Sequence, residues 1–258
     1  VTVLSFEPEA LLMVFMRISG FVFSAPVFGS KLVPTLIKVW FALFFALALV
    51  PVVGFDGGLP SFASPAYFIL AAREVLLGLL IGFVSTFFVH GVEFAGHMVG
   101  LQMGFAASSL FDPFSNNEVS VIGRFQGLLA IVLFLAMNGH HVLLSSFAAS
   151  YDLVTPSIAA LAASGAQELV YATAGVFTVA VRISIPVLGA MFMVEVGLAL
   201  LAKTVPQMNI FVVGFPLKIA VGLTVLGFSL PYFTYILAKA IAGNNAELRS
   251  VLGALVGG

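Results

Sequence analysis

Apolar residues gather in seven runs, near 10–28, 39–55, 75–92, 94–111, 125–151, 169–202 and 219–238. A helix that crosses a bilayer needs about 20 mostly apolar residues. The runs at 39–55 and 219–238 fit most simply. Others are cut by charge at Arg17, Arg73-Glu74, Glu93, Arg182 and Glu195. A charge at the bilayer centre costs at least ~2.5–3.5 kcal/mol on insertion scales. These interruptions predict helices that face protein or water as well as lipid. Charges near helix ends have a second reading, since Arg17 and Arg73 can snorkel to the interface.

The breaks between runs are clearer than the runs. Gly54-Phe55-Asp56-Gly57-Gly58 with Pro60 reads as a loop, and Leu110 to Glu118, LFDPFSNNE, as a second. Asn138-Gly139 is a tight turn, and Thr155-Pro156 closes the segment after it. Ser157 to Ala166 is small, uncharged and poorly patterned, as a connection is, with Ser164-Gly165 marking a boundary between halves. Gly243 to Gly258 reads as a short amphipathic tail. Val205 to Gly222, VPQMNIFVVGFPLKIAVG, sets two prolines, an amide pair and a lysine between long apolar runs. Proline-broken backbone at membrane depth is tolerated only where protein or a water-filled cavity covers it.

Composition settles the class. The chain has 258 residues, 61% hydrophobic and 8% charged, with a mean hydropathy of +1.18. A soluble domain carries roughly 25% charge, so this is an integral membrane protein, and the long apolar runs read it as all-α. The net charge of −1 gives no basic footprint for nucleic acid. The absence of cysteine removes disulfides, thiolate metal sites and cysteine nucleophiles. Glu7 and Glu9 stand where a cleavable signal would be basic. Lys31 and Lys38 favour a cytoplasmic loop between the first two helices, but the other lysines are scattered and give a weak topology signal.

Three sets of residues could carry function. His90, Glu93 and His97 stand at i, i+3 and i+7, which ~100° per residue places on one helix face. Gly96, Gly100 and Gly104 flank that face. Histidine and glutamate are zinc ligands, but no fourth ligand is evident and the spacing is not the metalloprotease HExxH. A polar helix face or pore lining with no metal is the reading adopted. His140 and His141 diverge by ~100° on a helix, which favours a cap and turn role. Phe105, Phe111 and Phe114 lie in or beside the Asp112-Pro113 loop. They either seal a narrow channel by excluding water or anchor the loop into its own bundle. No nucleophile elbow, Walker sequence or dinucleotide fingerprint occurs. No catalytic residue and no cofactor are expected.

Two segments carry a resemblance. They are LQMGFAASSLFDPFSNNEVSVIGRFQGLLAIVLFLAMNGHHVLLSSFAASYDLVTP at 101–156 and PVLGAMFMVEVGLALLAKTVPQMNIFVVGFPLKIAVGL at 186–223. Together, the NGHH turn, the Asp-Pro loop and PQMNIFVVGFPLK resemble the FliR family of the bacterial flagellar type III export gate. The virulence-type (SctT) homologues share the architecture, but these forms look more flagellar. The resemblance implies long, partly broken helical hairpins, with a FliP-like part at 1–165 fused to a FliQ-like hairpin and tail at 166–258. It implies a gate in the bacterial inner membrane, at the flagellar basal body. FliP-like and FliQ-like proteins would be the partners, with a FlhB-like export component alongside and unfolded secreted proteins as substrates. It assigns channel plugging to a loop at about 104–123 containing Phe105, Leu110, Phe111, Asp112, Pro113 and Phe114. Pro206, Gln207, Asn209, Phe215, Pro216 and Lys218 become the hairpin tip and its partner contacts. The competing readings are a self-sufficient secondary transporter, which also uses broken helices and midplane charges such as Glu195, and an intramembrane metalloenzyme built on His90, Glu93 and His97.

Overall fold

A computed structural model describes residues 8–53, 59–105, 120–156 and 164–256. The described residues form helices α1 (Pro8–Ser24), α2 (Thr35–Leu49), α3 (Pro65–Ser85), α4 (Phe87–Gln102), α5 (Val121–Ala136), α6 (Gly139–Leu153), α7 (Ser164–Thr204) and α8 (Ile210–Val256). Among the described residues, Pro65–Gln102, Gly165–Thr204 and Ile210–Leu255 are long and apolar enough to cross a membrane, and α5 with α6 would make a fourth such stretch if the pair is one broken span.

Local chemistry sets the boundaries. Ser64 accepts a hydrogen bond from Ala66 N at 3.3 Å, and Pro65 fills the first position of α3. Ser120 caps α5 through Gly123 N at 3.1 Å. Asn138 takes a left-handed conformation, φ 56°, and turns the chain from α5 into α6 as its asparagine-glycine pair predicts. Pro186, Pro216 and Pro231 lie inside α7 and α8, which continue past them. Each lacks an N–H donor, but a long apolar helix can tolerate a lost rung where neighbouring groups compensate. Gly243 does not break α8, so the expected tail is the last four turns of that helix. A single interior glycine costs only about 1 kcal/mol, and Leu248, Val251, Leu252 and Leu255 bury one face beyond it.

The chain divides into two compact units. The first holds the described residues of Val1–Phe87, Asn138–Ala174 and Ile241–Gly258. Its centre is the contact of α1 with α3, where glycines let the backbones meet. A Cβ on Gly78 would come within 2.9 Å of Phe21 N, and one on Gly82 within 2.8 Å of Phe21 O. Arg17, on α1, is fully buried beside Glu74, on α3, with Nε–Oε2 at 2.5 Å and Nη2–Oε1 at 3.0 Å. Nη2 also donates to Val154 O at 2.8 Å, Nη1 to Ser150 Oγ at 3.4 Å, and the guanidinium lies 4.1 Å from the Tyr151 ring centre. Val154 is the C-cap of α6. Its carbonyl is therefore one of those the helix cannot satisfy itself, at the negative end of the helix dipole. Of the two readings of Arg17, burial and pairing is the one observed.

Lys38 stands where α2 leaves the connection after α1. It lies in the first turn of α2, is 8% exposed, and donates to Gly29 O at 3.0 Å. Its ammonium ties the first turn of α2 to the connection between α1 and α2.

The second unit holds the described residues of Phe88–Met137 and Gly175–Ala240. Here α4 meets α5: a Cβ on Gly96 would stand 2.5 Å from Gly123 Cα. Val99, Met103, Ile122, Val187, Met191 and Leu226 make its core, drawing on α4, α5, α7 and α8. In their most apolar windows α7 and α8 are only 17% buried, leaving long apolar faces uncovered by this chain.

Candidate functional site

The second unit contains a cleft of about 470 Å³ lined by His90, Glu93, Phe94 and His97 of α4 with Ser120, Gly123 and Arg124 at the start of α5. Small residues make it possible. Gly96 and Gly123 bring the two helices together, and Ser120 Oγ donates to Gly96 O at 3.3 Å. His90 Nδ1 stands 3.3 Å from Glu93 Oε2, with both side chains about half exposed, 58% and 48%. The three residues read from the helical period do share one cleft. Among the described residues no three histidine or carboxylate groups come together as a metal site. The cleft brings imidazole, carboxylate and guanidinium groups to one solvent-facing surface.

The segment leaving α4 is pinned. Gly104 adopts φ 87°, and Phe105 N donates to Gly100 O at 3.1 Å while Gly104 N donates to Leu101 O at 3.1 Å. This pairing ends a helix on a left-handed glycine. Phe105 then packs against the Val99–Met103 core. A side chain at Gly104 would be strained by that φ and would also strike the Phe215 ring, 2.6 Å from Cδ1. The chain is fixed again at Ser120. Leu110, Phe111, Asp112, Pro113 and Phe114 lie outside the described residues.

The connection between α7 and α8 contains Pro206 and Gln207, both exposed. Asn209 Oδ1 accepts from Phe211 N at 3.2 Å and so starts α8. Lys218 Nζ, one-fifth exposed, donates to Glu195 Oε1 at 2.7 Å across the hairpin. Phe215 lies over Gly104, and Pro216 is exposed on α8. Of these hairpin residues, Asn209, Phe215 and Lys218 already have partners inside the chain, whereas Pro206, Gln207 and Pro216 present open surface.

His140 and His141 begin α6. Their rings meet edge to face at 4.4 Å between centres, closer than their helical divergence implies, because they occupy the first turn beside the left-handed Asn138. The Arg17–Glu74–Val154 network escaped the sequence reading as a unit. The available signal was two opposite charges in separate apolar runs, each costly alone.

Comparison with known proteins gives these features a family. Residues 9–243 match the family described as Bacterial export proteins, family 1. The chain is 32% identical to the flagellar biosynthetic protein FliR of Bacillus subtilis (strain 168), covering 96% of each. It is 29% identical to FliR of Escherichia coli (strain K12), over 84% of this chain and 82% of that one. The Yop proteins translocation protein T of Yersinia pestis is 33% identical over 59% of each chain. The match spans both compact units and every helix from the first to most of the last, so this chain belongs to the family 1 bacterial export proteins, the family of the flagellar biosynthetic protein FliR.

Proposed function

We propose that the chain is a non-enzymatic subunit of the flagellar type III protein export gate, seated in the bacterial inner membrane at the flagellar basal body. In this reading FliP-like and FliQ-like membrane proteins join it in a channel that admits unfolded flagellar subunits, and a FlhB-like component sits alongside. Residues 1–165 are its FliP-like part and residues 166–258 its FliQ-like hairpin and tail. The observation that carries the reading is the hairpin of α7 and α8, apolar along its length yet only 17% buried in its apolar windows. Lipid or packed helices must cover such faces. The relatives' shared name, FliR, favours partner helices of an export assembly.

The loop at about 104–123 is assigned the closing of the channel, with Phe105, Leu110, Phe111, Asp112, Pro113 and Phe114 as its plug. Support comes from its two anchors, the glycine turn at Gly104 and the Ser120 cap. Apolar constrictions gate by excluding water. The His90–Glu93–His97 cleft is assigned to a polar path or packing face.

Co-purification tests the assembly: the chain is expected to leave the membrane in a stable complex with FliP-like and FliQ-like proteins. A chain that purifies alone and drives ion-coupled solute uptake in liposomes is instead a transporter. For the plug, the Phe111→Ala/Phe114→Ala variant should raise ion leak through assembled gates. Wild-type leak from normally assembled complexes refutes that assignment.

A further inference from the structure

A second cleft, of about 180 Å³, lies in the first unit between α6 and the last turns of α8. Its polar lining is Ser145, Ser146, Asn245 and Arg249, and Leu248 and Leu252 contribute to its apolar wall. Three facts distinguish it from an ordinary surface groove. Asn245 Oδ1 is buried with no hydrogen-bond donor among the described residues. Ser145 Oγ and Ser146 Oγ each donate to Val142 O, at 2.9 and 2.6 Å, so toward the cleft they offer only lone pairs. Arg249 is exposed and enters no ion pair among the described residues.

The cleft therefore presents three oxygen acceptors and one guanidinium. A buried acceptor without a donor is costly and calls for a ligand or an ordered water. The complementary ligand carries N–H donors and an anion a few bonds apart. We propose that the cleft binds the phosphoethanolamine headgroup of a membrane phospholipid, its ammonium on Asn245, Ser145 and Ser146 and its phosphate on Arg249. A guanidinium matches phosphate oxygens two at a time, and Leu248 and Leu252 meet the glycerol and first acyl carbons. The neighbouring carboxylates of Asp152 and Glu247 are not part of the lining.

The position along the helix fits. Helix α8 has 47 residues, about 70 Å at 1.5 Å per residue, more than twice the hydrocarbon thickness of about 30 Å. Part of it must lie outside the hydrocarbon. Polar residues gather where Lys239, Asn244, Asn245, Glu247 and Arg249 follow the apolar stretch at 219–238. The inference needs membrane association and does not rest on the export-gate assignment.

The test is native mass spectrometry of the purified full chain with phosphatidylethanolamine, phosphatidylcholine and phosphatidylglycerol of identical acyl chains. Choline has no N–H and glycerol no ammonium. Phosphatidylethanolamine should be retained roughly ten-fold over both, the scale of one hydrogen bond to a charged group. Asn245→Leu should abolish that preference while leaving phosphatidylglycerol retention unchanged and without lowering the unfolding temperature. Ser145→Ala, at an exposed position, should weaken the preference in the same direction without risk to the core. Arg249→Gln should reduce retention of all three lipids. Equal retention of ethanolamine and choline lipids overturns the proposal, as does a preference that survives both Asn245→Leu and Ser145→Ala. Binding of free O-phosphoethanolamine with no lipid retained overturns the membrane source. Displacement of bound lipid by excess O-phosphoethanolamine supports headgroup recognition.

Discussion

Removing Glu74 while keeping Arg17 strands a guanidinium where both partners are 0% exposed. The Glu74→Leu variant loses two charge-assisted hydrogen bonds, at 2.5 and 3.0 Å. Breaking a buried pair from one side costs about 3–5 kcal/mol. The Val154 carbonyl, the Ser150 hydroxyl and the Tyr151 face still hold the cation, which sets the expectation near the lower bound, about 3 kcal/mol. Arg17→Met leaves a buried carboxylate without its cation, and its expected cost is about 4–5 kcal/mol. The double variant Arg17→Met/Glu74→Leu removes both charges and leaves mainly the Val154 carbonyl without its donor, for about 1–3 kcal/mol. The singles therefore add to far more than the double, with a coupling of about 4 kcal/mol or more. Equilibrium unfolding of the four proteins in mixed micelles, followed by circular dichroism, measures the cycle. Additive single substitutions, or a Glu74→Leu cost under about 1 kcal/mol, would refute the claim that this pair and its attachment to Val154 hold α1, α3 and α6 together.

Helix contacts in the second unit give a matched pair of tests. Gly96→Val places Cβ 2.5 Å from Gly123 Cα, and the clash with backbone should lower the unfolding temperature and cut membrane accumulation. Gly197→Ala meets nothing within 4 Å and should leave the isolated chain unchanged or more stable by up to about 1 kcal/mol through helix propensity. Equal effects from the two would contradict the close packing of α4 on α5. Across the hairpin, Lys218→Glu sets two carboxylates together, and the Glu195→Lys/Lys218→Glu swap should recover the loss. Glu195 is 44% exposed, which keeps the effect within about 1 kcal/mol. A thermal shift assay reads it, and a swap no better than the single reversal rejects the pair.

The membrane class was legible because composition leaves no alternative, and the turns were legible because asparagine, glycine and proline carry their conformations with them. Asn138 turns the chain directly before α6, and Pro206-Gln207 lies in the connection between α7 and α8. Helix lengths were less legible. Glu93 interrupts the hydropathy between two runs but sits inside α4, since a glutamate is a good helix former and breaks only the apolar pattern. For Lys38, the partner was not legible either. Its aliphatic stem buries and its ammonium reaches Gly29 O, an arrangement set by the path of the chain around 25–34. In the candidate cleft, the helical period put His90, Glu93 and His97 on one face. The opposing Ser120 and Arg124 come from another helix, and no spacing within α4 could supply them.

Pairing inside the chain separates two kinds of polar residue in a protein with so few. A group already bonded must break that bond before it can serve a partner, and the net gain from exchanging one hydrogen bond for another is small. Arg17, Glu74 and Lys38 are bonded within the first unit, and Lys218, Glu195 and Asn209 within the second. Their first role is to fix helix against helix and to start α8. Asn245 Oδ1 has no such bond, and Gln207, on the exposed connection, makes none among the described residues. For these the gain from an outside donor or acceptor is not offset by a bond lost within. Burial decides between the two. Water already solvates an exposed amide such as Gln207, but a buried carbonyl oxygen such as that of Asn245 keeps its desolvation cost until a donor enters. At the α6–α8 cleft that cost creates a demand for an external donor, which the exposed His90 and Glu93 of α4 do not share.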